Sequence, residues 1–162
     1  MGDPTVQSLI EKYALIWGVP VALATAQQQE ENAPQDPNAV SPEGAIGLFQ
    51  LEPKTALWLV GMSGMIQKAL TIPEFNVMLA IFYDLWLRAQ LEGKFTGTDL
   101  WKAVLAAYNC GLGNVQKAIE AAQAKGSDAT VYQNIVDFLP TETQNYVARI
   151  WTEFQQMTNP EA

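Results

Sequence analysis

The chain contains no histidine and only one cysteine, Cys110, in 162 residues. A lone cysteine rules out an internal disulfide, and without histidine the usual zinc ligand sets cannot be assembled, so no metal is expected. A cysteine nucleophile would lack its activating imidazole, and serine–histidine catalysis is excluded on the same ground. Acid–base work near neutral pH therefore falls to carboxylates, tyrosine or lysine. Basic residues are also scarce, with 9 Lys and Arg against 17 Asp and Glu and a formal net charge of −8. Nucleic acid is bound through a basic face, so no such partner is expected. An anionic polymer would have to be held by neutral polar groups and aromatics. No apolar run reaches the roughly 18 residues of a membrane-spanning helix, and no membrane span is expected. The first residues, MGDPTVQS, lack the basic-then-apolar order of a signal peptide. Its absence predicts either cytoplasmic synthesis or a chain separated from its leader.

What the chain does have is helical patterning. Apolar residues make up 49% of it, enough for one domain over 1–162 to bury a core without staples. Asp3 is the expected cap of a first helix with Pro4 in its opening turn, and Val6, Leu9, Ile10, Tyr13 and Trp17 form its apolar stripe. Gly18 ends that helix, and Pro20 opens a second through VALATAQQQEE. Residues 32–44 hold Pro34, Pro37, Pro42 and Gly44 and read as a loop. A helix restarts at Pro53. The longest one, PEFNVMLAIFYDLWLRAQLEG, opens at Pro73 and Glu74 and is apolar nearly all round, as a central helix is. Thr98 or Asp99 is the expected cap of LWKAVLAAYN, and Gly111 and Gly113 break the chain before NVQKAIEAAQAKG. A helix through VYQNIVDFL stops at Pro140. Thr141 begins the last one, with Tyr146, Ile150, Trp151 and Phe154 at helical spacing. No strand pattern, repeat or low-complexity tract stands out. The expected class is all-α, one domain and a monomer.

Four stretches carry residues suited to chemistry. Glu30 and Glu31 end the second helix. A carboxylate there opposes the helix macrodipole, which disfavours its charged form, as a general acid requires; a solvated helix end accounts for acids there as well. Adjacent helical residues point about 100° apart, so one of the pair at most faces a pocket. In GAIGLFQ, Gly44 and Gly47 permit positive φ or close backbone approach, and Gln50 both donates and accepts hydrogen bonds. In AAYNCG, Tyr108 and Asn109 end an alanine-rich helix, a position where Asn before Gly is also a common helix stop. In LPTETQNYV, Glu142 reads as a structural helix start, while Tyr146 serves either core or cleft.

The order of these stretches matters more than any one of them. An acid at a helix end is followed by NAVSPEGAIGLFQLEPKTA, then AVLAAYNCGLGNVQKAI, then LPTETQNYVARI. This order resembles the soluble lytic transglycosylase (SLT) family, whose fold is like goose-type lysozyme. The resemblance runs from about Gly18 to Trp151, and PEFNVMLA is similar to the opening of the family's central helix. Counting from Gly18-Val19-Pro20 places the family's catalytic Glu at Glu31. Glu30 is its neighbour in register, and Gln29 occupies the place only if ATAQQ is matched to the family's A-x-A-Q-Q, which would make the chain a disabled enzyme. Counting backward from Ser41 reaches Asn32, which implies one extra loop residue. Asn32 also stands where the family has serine, and the aromatic three residues after the Glu is missing. The resemblance assigns Gln50, Tyr108 and Asn109 to sugar binding, with Asn32 and Ser41 beside them, and Tyr146 to a hydroxyl near the catalytic acid.

It further implies cleavage of the β-1,4 bond between N-acetylmuramic acid and N-acetylglucosamine, with peptidoglycan glycan strands as partner, no cofactor, and action at the cell wall, whether in the periplasm, a phage virion or a secretion apparatus. Glycoside hydrolysis usually needs two carboxylates. No second acid stands in these motifs as a clear partner, which fits a one-acid route to a 1,6-anhydro sugar. A hydrolytic lysozyme would need Asp36 or Glu43 to hold a water. A non-catalytic glycan-binding or assembly domain is the third reading, suggested by the altered Glu-Asn pair.

Overall fold

Prolines and glycines set most helix boundaries. In the computed structural model, which describes residues 4–61 and 64–159, α1 spans Val6–Trp17 and α2 Val21–Asn32. Gly18 ends α1 at φ 68°, a left-handed conformation that costs a residue with a Cβ about 1 kcal/mol or more. The cap of α1 is Thr5, whose Oγ1 accepts from the Ser8 amide at 3.1 Å. Pro4 thus precedes the cap, and Asp3 lies outside the described residues. α3 (Pro53–Val60), a short α4 (Ile66–Ala69) and α5 (Pro73–Leu91) follow. The sequence pattern does not reveal α4. Among the described residues, extended pairing is limited to single bridges from Ile46 to Val40 and to Leu51, and no helix is long and apolar enough to cross a membrane.

The rest is α6 (Gly97–Cys110), α7 (Leu112–Ala124), α8 (Tyr132–Ile135), a 3-10 turn (Val136–Phe138) and α9 (Thr141–Thr158). Thr96 precedes the first turn of α6, so neither Thr98 nor Asp99 is the cap; Asp99 sits inside that turn, where its charge complements the helix dipole. Gly111 alone separates α6 from α7, and Gly113 lies within α7 instead of breaking it. The segment VYQNIVDFL divides into α8 and the 3-10 turn. Leu139 then takes the extended conformation that a following proline imposes.

The chain forms two compact units, residues 1–83 and 84–162, with α5 running across the boundary. In the first, α1 packs on α2, and Leu9, Ile10 and Ala14 of α1 and Leu23 of α2 are buried. Trp17 stacks on Tyr13 with ring centroids 5.4 Å apart and meets Phe82 edge-on at 5.6 Å. Phe82 is exposed, so α5 is not apolar on a wholly covered surface. Glu74 ties α5 to α1, accepting from Lys12 Nζ at 2.7 Å and from the Tyr13 hydroxyl at 2.8 Å. In the second unit α6 contacts α7, α8 and α9. Its five consecutive residues Ala103 to Ala107 are all buried, because the alanines let neighbouring backbones come close on every side.

Candidate active site

The end of α2 determines which acid faces inward. Leu23, Ala24, Ala26, Gln27, Gln28 and Asn32 are its buried residues. At about 100° per residue they cover an arc of roughly 240°. Glu31 falls about 20° from the middle of this arc and Glu30 about 80° from it, while Gln29 lies in the gap opposite. Both glutamates are half-buried. Glu31 therefore belongs to the inward face in the last turn, where the helix gives way to loop.

Two amides hold that turn. Gln28 Nε2 donates to the Asn32 carbonyl at 2.8 Å, satisfying one of the acceptors a helix end leaves open. Asn32 Nδ2 donates to the carbonyls of Asp36 at 2.7 Å and Gly47 at 3.1 Å, and Asn32 Oδ1 accepts from the Asp36 amide at 3.3 Å. Asn32 is buried and its amide is committed to the loop, so it shapes the site from within. Ser41 acts similarly: its Oγ accepts from the Ala45 amide at 3.1 Å while its backbone N–H donates to the Ala45 carbonyl at 2.9 Å.

The glycine-spaced turn forms the other wall of the loop. Ile46 and Leu51 exchange both backbone hydrogen bonds, at 2.9 and 3.1 Å, and enclose Gly47 to Gln50. Gly47 has φ 82°, and a Cβ there would sit 2.5 Å from Asn76 Nδ2 and 2.6 Å from the Leu70 carbonyl. Only glycine fits. Gln50 is left-handed at φ 46°, an uncommon conformation for a residue with a side chain. Its Nε2 donates to the Gly47 carbonyl at 2.9 Å and sits 3.4 Å from that of Ala39. With the amide nitrogen on carbonyls, Oε1 is the end suited to accept from a ligand.

Asp36 and Glu43, the alternative acids, are both exposed. Asp36 Oδ1 accepts from the Asn38 amide at 2.9 Å and so stabilises a turn.

In the second unit, Tyr108 and Asn109 occupy the last turn of α6 and are half-buried. The Thr143 hydroxyl donates to Asn109 Oδ1 at 2.7 Å, linking the first turn of α9 to the end of α6. Tyr146 lies one turn further along α9 and is buried with Val147 and Ile150 on the same stripe. Burial pushes the Cys110 thiol above its ordinary pKa, which makes it a poor nucleophile. The predicted residues thus form two sets, Glu30, Glu31, Asn32, Ser41 and Gln50 in one unit and Tyr108, Asn109 and Tyr146 in the other.

Three supporting residues escape sequence reasoning: Gln28, Asn76 and Thr143, all buried polar side chains. Asn76 Oδ1 accepts from the Phe49 amide at 2.9 Å, and its Nδ2 donates to the carbonyls of Ile46 at 2.9 Å and Leu70 at 3.0 Å. A lone amide amid the apolar residues of FNVMLA was the available signal, since a buried amide must find partners.

The model of the Transglycosylase SLT domain matches residues 8–131, across the boundary between the two units. The membrane-bound lytic murein transglycosylase F of Marinobacter nauticus is 28% identical over 141 residues, covering 87% of this chain and 27% of that protein. Its counterpart in Shewanella halifaxensis is 32% identical over 139 residues, 85% of this chain and 27% of that protein. The membrane-bound lytic murein transglycosylase C of Haemophilus ducreyi is 29% identical over 165 residues, 93% of this chain and 45% of that protein. The chain thus spans about a quarter to just under half the length of these relatives. Among solved structures, the 70 kDa soluble lytic transglycosylase SLT70 of Escherichia coli superposes with a TM-score of 0.73 at 26% identity, covering 93% of this chain and 24% of that one.

Proposed function

Because the chain belongs to the Transglycosylase SLT family, we propose that it is a lytic transglycosylase acting on the glycan strands of peptidoglycan. The bond cleaved is the β-1,4 link from N-acetylmuramic acid to N-acetylglucosamine. The relatives' names as lytic murein transglycosylases support this substrate and a place of action at the cell wall. The whole of 1–162 serves as one catalytic domain, acting as a monomer and without metal or nucleic acid.

Glu31 is the single acid and base. Protonated Glu31 gives its proton to the glycosidic oxygen as the bond from C1 breaks. Its carboxylate then takes the proton of the muramic C6 hydroxyl, whose oxygen closes on C1. The product is a 1,6-anhydro sugar and no water is consumed. An attacking group within the same sugar gains from proximity, worth up to roughly 7 kcal/mol or more of the barrier. Gln50 and the Tyr108–Asn109 pair bind sugar, and Tyr146 supplies a hydroxyl to the reaction. Asn32 and Ser41 contribute by holding the loop in shape.

The observation that carries this reading is the place of Glu31 near the middle of the buried arc of α2, half-buried, in its last turn. The exposure of Asp36 and Glu43 favours a one-acid route over hydrolysis, which needs a second carboxylate to hold water. The test is mass spectrometry of muropeptides after digestion: anhydromuramic ends support the proposal, and reducing muramic ends overturn it in favour of a lysozyme.

A further inference from the structure

We propose that Asn76 is a positioning residue for the candidate site: from α5 it holds the Gly47 turn in the one conformation that presents Gln50 to the glycan. The inference rests on the reading of Gln50 as a sugar contact and adds a residue that acts through it. Asn76 is fully buried, and its amide meets three backbone groups, the Phe49 N–H and the carbonyls of Ile46 and Leu70. Two of the three belong to the turn itself, on either side of Gly47. The fit is close enough that Gly47 has no space for a Cβ against Asn76 Nδ2.

What this clamp holds is a strained conformation. Gln50 sits in the left-handed region at φ 46° directly after Phe49, and such a conformation persists only where its surroundings over-determine it. Asn32 grips the same turn through the Gly47 carbonyl, which also receives Gln50 Nε2. The end of α2, which bears Glu31, and the start of α5 therefore meet on one turn, at neighbouring peptides, and the offset between the acid and Gln50 depends on both asparagines. Asn32 is tied to the Glu31 helix by sequence. Asn76 is the independent anchor.

Aspartate at this position keeps the acceptor for the Phe49 amide but sets a carboxylate oxygen against the two carbonyls that Nδ2 now serves. The experiment is a double-mutant cycle of Asn76→Asp with Gln50→Ala, read as kcat/KM on peptidoglycan below all melting transitions, with melting temperatures recorded in parallel. Action through Gln50 predicts a loss of about tenfold from Asn76→Asp in the wild-type background and less than about twofold once Gln50 is alanine. The fall in melting temperature should be the same in both backgrounds. Equal losses of kcat/KM in the two backgrounds, or no loss in either, overturn the proposal and leave Asn76 a core residue. Should Asn76→Asp not fold, Asn76→Ser takes its place, since it removes the same donors without burying a charge. A neutral Gln50→Ala overturns the sugar-contact reading and this inference with it. If the wild-type chain makes no anhydro product, the enzymatic reading fails separately. The same cycle read on Kd for an N-acetylglucosamine oligomer then decides the role of Asn76, by the same criterion of unequal against equal losses.

Discussion

The hydroxyl of Thr143 lies 2.7 Å from the side-chain oxygen of Asn109, so one hydrogen bond orients an amide at the end of α6 from the first turn of α9. While that bond holds, Asn109 keeps its Nδ2 donors and one lone pair of Oδ1 for other partners. Thr143→Val keeps the shape of the side chain and removes the donor. It should lower stability by about 1 kcal/mol, the net worth of a typical hydrogen bond. Turnover should fall as well, because the Asn109 amide is no longer held. Thr143→Ser should restore both. Thermal melts and initial rates on peptidoglycan check this, and a Val variant with wild-type rate would separate Asn109 from the site.

Glu31→Gln should reduce turnover by at least the 10²–10⁴-fold typical of a lost general acid. The amide is nearly isosteric, so the circular dichroism spectrum and glycan binding should persist. Glu30→Gln should be mild, since Glu30 points toward the edge of the buried arc. Reversed effects would show that the loop after α2 is matched to the family one residue out of register.

The reaction product should be one water lighter than that of a lysozyme, because the C6 hydroxyl replaces water as nucleophile. Digestion in ¹⁸O-water offers an independent reading. No label should enter the muramic end, and label there would return Asp36 and Glu43 to consideration.

Tyr146→Phe should slow the reaction about tenfold to a hundredfold with little change in stability, as expected if its hydroxyl steadies developing charge. Tyr146→Ala should destabilise by roughly 3 kcal/mol, because the buried ring is lost and a cavity remains. A fully active Phe variant would reduce Tyr146 to a packing residue.

Glu74 makes a prediction about pH. The hydrogen bond from Lys12, joined by that from Tyr13, holds its carboxyl below the usual range. The stability it contributes is present above the unfolded-state value and is lost as pH falls through the lowered folded one. Lys12 is raised by the same pair, so its contribution is present below its ordinary value and fades as pH rises through the raised one. The pair is exposed and screened, so the difference in melting temperature between wild type and Glu74→Gln should be small and should shrink with added salt. A difference that survives high salt would point to a neutral contact as its source.

The helix boundaries at Gly18, Pro53, Pro73 and Thr141 were legible in the sequence because each follows from the φ/ψ limits or cap chemistry of one or two residues. The order of the glutamate, the Gly-rich turn, the Tyr-Asn pair and the late tyrosine was legible too, and it carried the family. Local signals failed between near-equal neighbours: α6 starts after Thr96, ahead of Thr98 and Asp99, α7 runs through Gly113, and VYQNIVDFL divides into α8 and a 3-10 turn. Tertiary structure alone revealed that Asn32 faces the loop, that Asn76 reaches back 27 residues to the Phe49 amide, and that Gln50 is left-handed. Each depends on a partner far along the chain. A local stretch sets which conformations a residue can adopt, whereas a buried amide selects among them by where its distant partners lie.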